Sequence, residues 1–336
     1  MKKSTFAVIA EKAQVGIATV DRVLNERGGV SPKTVQKVIT AAKELGIKRT
    51  LPEIYQAPWR IELILSQNPS QFFKSLMQGF SKVAQGHQYR NVRLRCSLVP
   101  ESQPEKLANH LENSADKYDG IIVFANDNDS IYQALEKCHS NGTPVITLAT
   151  DLPESKRLCH VGIDQYQIGR TAASLMSKMI PNQGEIILLS GRFDYQAHIQ
   201  RMKGFQDAIS KRDTITLSDI LYGDDDKETI LRLLSQQNKR EVIGIYNSGA
   251  GNQTIGNWLS NAGKVGSCAF ITHELYNTTE ELLKNNTLSF ALDQNAQQHA
   301  ELSLDIMFNH LQNGYSPDIY NDGKVAFRII TEENLT

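Results

Sequence analysis

Residues 4–25 read STFAVIAEKAQVGIATVDRVLN, and residues 30–46 read VSPKTVQKVITAAKELG. In the first stretch, apolar residues recur every three to four positions around Ile9 and again around Val23, with a short break at Gly16 between the two runs. Two short helices joined by a tight turn form the helix-turn-helix layout. The stretch therefore predicts a small DNA-reading unit at the front of a chain of 336 residues.

A third helix is predicted with clear boundaries. Ser31 is a good N-cap, Pro32 suits the first helical position, and Gly46 follows the last turn. Ser4 can cap the first helix in the same way. We expect the helices to share one core, to which the second and third helices contribute Val20, Val23, Leu24, Val35, Val38, Ile39, Ala42 and Leu45.

The run Ala18-Thr-Val-Asp-Arg-Val-Leu-Asn25, with Ser31 and Thr34 after it, resembles the opening of the LacI/GalR family of bacterial transcription regulators. The family's usual wording is Ala-Thr-Val-Ser-Arg-Val-Leu-Asn. The resemblance implies that the second helix enters the major groove of DNA. The DNA-contacting residues that it implies are Ser4, Thr5, Ile17, Ala18, Thr19, Asp21, Arg22, Asn25, Ser31 and Thr34.

Ile17, Ala18 and Arg22 match the base-reading positions of the family. Arg22 can offer two parallel donors to guanine, and the two apolar side chains can touch a thymine methyl group. The alternative is that Ile17 and Ala18 only pack and that Arg22 is solvated.

Several positions depart from the family's pattern. The turn has Gln14 and Gly16 where the family has Gly and Ser, although Gly is a tolerable N-cap. Asp21 replaces a Ser beside the groove, where a carboxylate repels phosphate unless it accepts from a cytosine amino group or pairs with Arg22. We expect Asp21 to sharpen specificity and to lower affinity.

The segment after the third helix reads IKRTLPEIYQAPW over residues 47–59. The family usually has a hinge helix here that wedges a leucine into the minor groove, but Pro52 and Pro58 interrupt a regular helix. Two interpretations stay open. A short hinge helix can begin at Pro52 with Ile54 or Tyr55 as the wedge, or the segment is an extended linker.

Charge separates the front of the chain from the rest. Residues 1–49 contain ten Lys and Arg against four Asp and Glu, a net charge of +6, whereas the whole chain carries −1. The remainder is therefore −7. A basic unit on a mildly acidic body suits phosphate contact at one end.

The composition, 40% hydrophobic and 22% charged, is ordinary for a globular protein. No apolar run approaches the length of a membrane helix, and the residues after Met1 do not read as a secretory signal. The four cysteines, at positions 96, 138, 159 and 268, are far apart and predict reduced, structural thiols. We expect a cytoplasmic protein with no metal ion and no cofactor.

Beyond residue 60, short apolar strands alternate with helices such as 72–84 and 104–115. This alternation predicts doubly wound α/β domains with parallel sheets, which bind ligands at the carboxyl ends of their strands. About 270 residues suit two such sheets. The predicted strands are 61–66, 92–98, 120–124, 144–148, 185–189, 241–246, 268–271, 289–292 and 324–330.

Further landmarks resemble the family's core, a two-lobed fold like that of periplasmic sugar-binding proteins, whose chain crosses between lobes three times. They are the runs 161–170, 201–205, 245–252 and 293–294. The predicted fold is thus an all-α helix-turn-helix headpiece followed by a two-lobed, type I periplasmic-binding-protein-like α/β core. The predicted domains are a headpiece at 1–48, a hinge or linker at 49–59, and a ligand-binding domain at 60–336. Within that domain, we expect an N-lobe at about 60–160 and 294–320 and a C-lobe at about 161–293 and 321–336.

Polar residues near the predicted strand ends form the candidate ligand set. Arg201 matches a ligand-binding arginine of the family and can offer paired donors to vicinal hydroxyls, although such a residue can also be a solvated helix residue. Asn247 has both donor and acceptor groups, and Glu274 can accept from hydroxyls. The other polar members are Asn126, Asp127, Asp164 and Gln294, the first two of which can instead form an ordinary turn.

Two phenylalanines follow the loop after the first strand of the core. Phe72 or Phe73 can stack on a sugar ring, or one or both can belong to the core. His273 beside Glu274 is compatible with acid–base chemistry, but no nucleophile or metal set accompanies the pair, so we do not expect an enzyme.

These features predict a homodimeric transcription regulator, most simply a repressor, controlled by a small ligand between two lobes. Its dimer would read a pseudo-palindromic operator, and because the chain ends soon after the last strand, we expect no further tetramer-forming helix. The ligand classes that fit are sugars, polyols and sugar acids, with purines and sugar phosphates less favoured. Two alternatives are a transport-type sugar receptor, which requires a signal peptide, and a sugar-acting enzyme, which requires a catalytic set.

Overall fold

The computed structural model describes residues 5–25, 27, 29–46, 58–86, 91–100, 102–180, 183–192, 195–210, 213, 215–237 and 242–335. The chain divides into two compact units, of which the first is centred on the front of the chain and the second begins at Arg60. We call residues 5–46 the headpiece and residues 60–335 the core. The predicted residues Ser4, Pro52, Ile54 and Tyr55 lie outside the described residues.

The headpiece consists of helices α1 (Thr5–Ala13), α2 (Ile17–Leu24) and α3 (Pro32–Glu44). Gly16 precedes α2 with an extended backbone, and the Thr34 N–H donates to the Ser31 hydroxyl at 3.3 Å, as expected for the two helix starts. One cluster joins the helices, and its buried members are Ile9, Ala10, Ala13, Val20, Val23, Leu24, Val38, Ile39, Ala41 and Ala42.

The prediction that Leu45 belongs to the headpiece core is wrong. Leu45 is 37% exposed because α3 ends at Glu44 and the chain leaves the helix before it can point Leu45 inward. Gly46 then adopts a left-handed conformation with φ of 63°. Ala41 is buried in the cluster and was not predicted.

The N-lobe of the core is a five-stranded sheet in the order β2-β1-β3-β4-β5. Neighbouring strands from β1 to β5 run parallel, and their buried residues are mostly Ile, Leu and Val, which is typical of a sheet covered on both faces. The strands are β1 (Trp59–Ser66), β2 (Val92–Val99), β3 (Gly120–Val123), β4 (Val145–Leu148) and β5 (Cys159–Val161). The helices between them are α4 (Gln71–Ala84), α5 (Pro104–Ala115) and α6 (Asp129–Ser140).

The C-lobe is a six-stranded sheet in the order β11-β10-β9-β8-β6-β7, parallel except for β11. Its strands are β6 (Gly184–Ser190), β7 (Ile215–Tyr222), β8 (Val242–Asn247), β9 (Ala269–His273), β10 (Phe290–Asp293) and β11 (Arg328–Ile330). Its helices are α7 (Gln165–Met179), α8 (Gln196–Ile209), α9 (Lys227–Ser235), α10 (Asn252–Asn261) and α11 (Asn277–Lys284).

The chain passes between the lobes three times, which confirms the predicted two-lobed α/β fold. The first crossover is residues 162–164, the second is residues 294–295, and the third is residues 314–327. Between the second and third crossovers, helix α12 (Ala296–Asn313) packs on α4 of the N-lobe.

Two strands were not predicted, and one was predicted too long. β5 has only three residues, and β7 is an edge strand whose half-exposed residues give no continuous apolar run. The last strand begins at Arg328, whereas Lys324 forms only an isolated bridge with Gly162.

Helices α7 and α8 approach each other closely, and glycines permit this contact. A Cβ added at Gly169 would lie 2.0 Å from the Arg201 carbonyl oxygen, and one at Gly204 would lie 2.1 Å from that of Tyr166. Since no larger residue fits without movement, these glycines fix α8, and hence Arg201, against the start of the second lobe. Among the described residues, no helix is both long and apolar enough to span a membrane.

Candidate ligand cavity and DNA-reading face

A cavity of about 150 Å³ lies between the lobes, at the carboxyl ends of their parallel strands. This is where open α/β sheets bind ligands. Its aromatic lining residues are Phe72, Phe73, Phe124, Tyr195 and Tyr276. Its main polar lining residues are Asn68, Gln165, His198, Arg201, Asp225, Asn252, His273, Glu274 and Gln294.

Arg201 is the centre of a buried hydrogen-bond network in this cavity. Its Nε donates to the Gln165 side-chain oxygen at 2.6 Å, and its Nη2 donates to that of Gln294 at 2.7 Å. Its Nη1 donates to the Ser248 carbonyl oxygen at 3.3 Å. Burial lowers the pKa of Arg201, but a guanidinium stays charged in proteins. The Arg201 guanidinium therefore connects Gln165, which follows the first crossover, to Gln294, which lies in the second crossover.

Glu274 extends the network. It follows β9 with a left-handed backbone at φ of 67°, and its carboxyl group accepts a hydrogen bond from the Gln294 amide. Burial, followed by the nearby charge of Asp293, raises the pKa of Glu274 to about 8. Asp293 itself accepts from Arg328 at 2.5 and 2.9 Å. At neutral pH, Glu274 is therefore mostly a neutral acid, able to donate as well as accept.

His273 is not paired with Glu274. Its Nε2 lies 2.9 Å from the Tyr246 hydroxyl, and Tyr246 stacks on Phe205 at a centroid distance of 4.5 Å. Burial, aided by the charge of Arg201, lowers the pKa of His273 well below its ordinary value, so the imidazole is neutral. Its Nδ1 is buried and has no hydrogen-bond partner among the described residues.

Aromatic rings form one wall of the cavity. The Phe73 and Phe124 rings meet edge to face at 4.8 Å, and Phe124 meets Tyr195 at 6.1 Å. Phe73 is buried, whereas Phe72 is partly exposed and forms a T-shaped pair with the His299 ring at a centroid distance of 6.1 Å. Both predicted phenylalanines thus line the cavity, and Phe72 offers the more accessible face.

Asp225 was not predicted as a site residue, but it lines the cavity. It lies in the loop between β7 and α9, and its Oδ1 accepts from the Ala250 N–H at 2.8 Å. Burial raises the pKa of the Asp225 carboxyl group, whereas the Ala250 N–H and the charge of Arg192 oppose this shift. Because β7 was not predicted from the sequence, the loop that follows it, which contains Asp225, was not recognised as a strand end. Gln165 and Tyr195 were also missed, because neither lies at the end of a predicted strand.

Four predicted ligand residues are not among those that line this cavity. Asn247 is 2% exposed, and its amide donates to the carbonyl oxygens of residues 249 and 250 and to the Asn252 side chain, so it shapes the loop after β8. Asn126 lines a small, mostly apolar cavity, and Asp127 and Asp164 line a second cavity beside the first crossover. Asp164 caps α7 by accepting from the Gln167 N–H at 2.8 Å.

The predicted DNA-reading side chains lie on the accessible side of α2 in the headpiece. Ile17 is 53% exposed, and Ala18 and Arg22 are also exposed. Asp21 accepts from the Asn25 amide at 2.7 Å and from Arg27 at 2.8 Å. Asp21 therefore pairs with Arg27, because Arg27 follows the end of α2 and can reach back to the carboxylate. Pairing with Arg22 was one of the two alternatives that the sequence left open.

The remaining predicted DNA contacts lie at helix starts. Thr5 and Ser31 are exposed, Thr19 and Thr34 are half-buried, and the Ser31 and Thr34 hydroxyls lie 2.8 Å apart.

Two family models match this chain. The model of bacterial regulatory proteins of the lacI family matches residues 5–49, and a periplasmic binding protein domain matches residues 61–315. The two matches fall on the headpiece and on the core.

Curated relatives include regulators and a transport protein. Catabolite control protein A of Priestia megaterium is 25% identical over 250 residues, which are 71% of this chain and 72% of that protein. The ribose operon repressor of Halalkalibacterium halodurans is 31% identical over 126 residues, 36% of each chain. The ribose import binding protein RbsB of Escherichia coli is 24% identical over 176 residues, 52% of this chain and 58% of that protein.

Solved structures match the core. GanP, a glucose-galactose binding protein from Geobacillus stearothermophilus, has a TM-score of 0.73 and 17% identity, covering 83% of this chain and 99% of its own. A solute-binding protein from Burkholderia graminis in complex with D-arabinose has a TM-score of 0.74 and 20% identity, covering 83% and 97%. These likenesses concern the fold. Because the core model spans more than half of the chain, this protein belongs to the periplasmic binding protein domain family, and its front segment matches the model of bacterial regulatory proteins of the lacI family.

Proposed function

We propose that this protein is a DNA-binding regulator that represses transcription as a homodimer, and that a sugar or polyol bound between the lobes changes its affinity for DNA. The observation that carries the proposal is the presence, in one chain, of an exposed reading face on α2 and a cavity built around Arg201. Two copies of α2 would read a pseudo-palindrome.

The cavity's chemistry supports a polyhydroxyl ligand. Phe72 provides an apolar face for a sugar ring, and Glu274 and Gln294 provide both donors and acceptors. Relatives named for ribose, in import and in repression, point to the same class. Ligand contact with Arg201 would reach both the first and second crossovers through its hydrogen bonds, which supports a change in lobe geometry on binding.

We also propose that the chain binds its ligand without transforming it. Arg201, Gln165, Gln294 and Glu274 are held by one another, and His273 is held by Tyr246. Groups fixed in this way suit binding, and the described lining contains no base paired with a nucleophile.

The test has two stages. A randomised duplex library would first be selected for binding to the purified protein, with Arg22→Ala as the control that should lose the selected sequence. Fluorescence anisotropy would then measure the affinity for that duplex with and without each sugar that raises the protein's melting temperature. Failure to enrich any sequence, or an affinity unchanged by every stabilising sugar, would contradict the proposal.

A further inference from the structure

We propose that Asp225 determines ligand specificity: its carboxylate accepts hydrogen bonds from ligand hydroxyls and selects neutral sugars over sugar acids and sugar phosphates. The inference rests on the proposed ligand response and assigns a residue and a ligand class to the same cavity.

The backbone conformation of the loop places the Asp225 carboxylate at the cavity. Asp224 and Asp225 both adopt left-handed conformations, with φ of 50° and 58°, in the loop that ends β7. Asp226 then begins α9 by accepting from the Thr229 N–H at 2.8 Å. The three consecutive aspartates thus have different surroundings: Asp224 is exposed, Asp226 caps a helix, and Asp225 lines the cavity.

Glycines make room for the Asp225 carboxylate. A Cβ added at Gly191 would lie 2.6 Å from its Oδ1, and one at Gly249 would lie 2.9 Å from the same atom. The Ala250 N–H fixes Oδ1 at 2.8 Å. Within the part of the chain that the structure describes, the Asp225 Oδ2 makes no hydrogen bond and is not fully buried, so it is accessible. One oxygen is anchored, and the other is available to a ligand.

The surrounding groups favour a neutral ligand. Among the described lining residues, the lysine or arginine cation is Arg201. Its guanidinium already donates hydrogen bonds to Gln165, Gln294 and Ser248. Arg192 lies near Asp225, with its guanidinium 5.5 Å from the Tyr195 ring centroid, but it is not a lining residue. A carboxylate accepts strongly from hydroxyls and repels a second anion, so one group can provide both attraction and exclusion.

The Tyr195 hydroxyl gives an independent sign of a ligand on this side of the cavity. Tyr195 is 7% exposed and lines the cavity, and its hydroxyl is buried with no hydrogen-bond partner among the described residues. Tyr195 is the residue immediately before α8. A buried hydroxyl without a partner is costly unless another group completes it, and a sugar hydroxyl would do so.

The experiment is calorimetric titration of the full chain with D-ribose, D-glucose and D-galactose, and with D-gluconate, ribose 5-phosphate and glucose 6-phosphate. The variants are Asp225→Asn and Asp225→Ala, with Asp224→Asn as the matched control in the same loop and backbone conformation. Melting temperatures establish that each variant folds.

We expect the wild type to bind at least one neutral sugar better than the anions, and the Asp225 variants to lose about 10- to 100-fold in affinity for that sugar. The Asp224 variant should stay within about twofold. Unchanged affinity in the Asp225 variants, or wild-type preference for an anion, would overturn the role of Asp225 while leaving a ligand-responsive regulator. Absence of wild-type binding to every compound would overturn the proposed sugar response and this inference together.

Discussion

Glu274→Gln should make the protein more stable at pH 8 and change its stability little at pH 4.5. In the folded protein, the pKa of Glu274 is raised from its ordinary value of 4.5 to about 8, chiefly by burial. Between these values, the unfolded chain has lost the proton that the folded chain keeps. The contribution of the protonated Glu274 to the free energy of unfolding is therefore fully present below about pH 4.5. It is lost as the pH rises towards 8.

The size of the effect follows from the same pKa values. Each pKa unit corresponds to about 1.4 kcal/mol, so the full difference has an upper bound of about 5 kcal/mol. Glutamine has nearly the same shape, its carbonyl oxygen can still accept from Gln294, and it does not ionise. Because water entering the cavity would screen the charge, we expect a gain of about 2 to 4 kcal/mol at pH 8.

Chemical denaturation at pH 4.5, 6 and 8 would measure this effect, with Glu281→Gln as an exposed control on α11. The difference between Glu274→Gln and the wild type should grow steadily with pH, and the control should show no such trend. A constant difference at all three pH values would mean that Glu274 is ionised in the folded protein, and it would refute the assignment of a neutral acid.

Three further predictions concern the headpiece, the aromatic wall and the close helix pair. Arg22→Ala should remove discrimination between the selected duplex and a scrambled one, at a cost of about 1 to 3 kcal/mol, without changing sugar affinity; retained discrimination in anisotropy titrations would refute the reading role of α2. Phe72→Ala should weaken sugar binding by about tenfold in calorimetry, whereas unchanged affinity would exclude ring stacking on Phe72. Gly169→Ala should lower the free energy of unfolding by about 1 to 3 kcal/mol in urea titrations, because the new Cβ would collide with the Arg201 carbonyl oxygen. Ser174→Ala is an exposed control on the same helix. Equal stability of the two variants would contradict the close contact.

Local signals predicted much of the fold. Ser31, Pro32 and Gly46 each act within a single turn, and their roles at the ends of α3 could be read without knowledge of distant residues. The buried strands of the core were equally clear, since parallel strands covered on both faces are continuous apolar runs. β7 was missed because an edge strand half-exposed to solvent lacks that pattern.

The cavity was predicted less completely, because side-chain direction depends on partners that are far apart in the chain. Arg201 and Gln294 meet across 93 positions, and only their resemblance to a family pattern suggested that they share a cavity. Asn247 shows the opposite case. Its short amide satisfies the backbone of its own loop instead of facing the ligand space, a competition that the residue type alone does not reveal.

The Arg201 network also constrains how the binding preference can change over evolutionary time. The side chain best placed to sense a ligand also holds Gln165 and Gln294 in place, so exchanging it would disturb architecture and recognition in a single step. Asp225 lies on a loop outside that network, between an exposed aspartate and a helix cap. New ligand preferences are therefore expected to arise more readily at such loop positions than at the buried guanidinium.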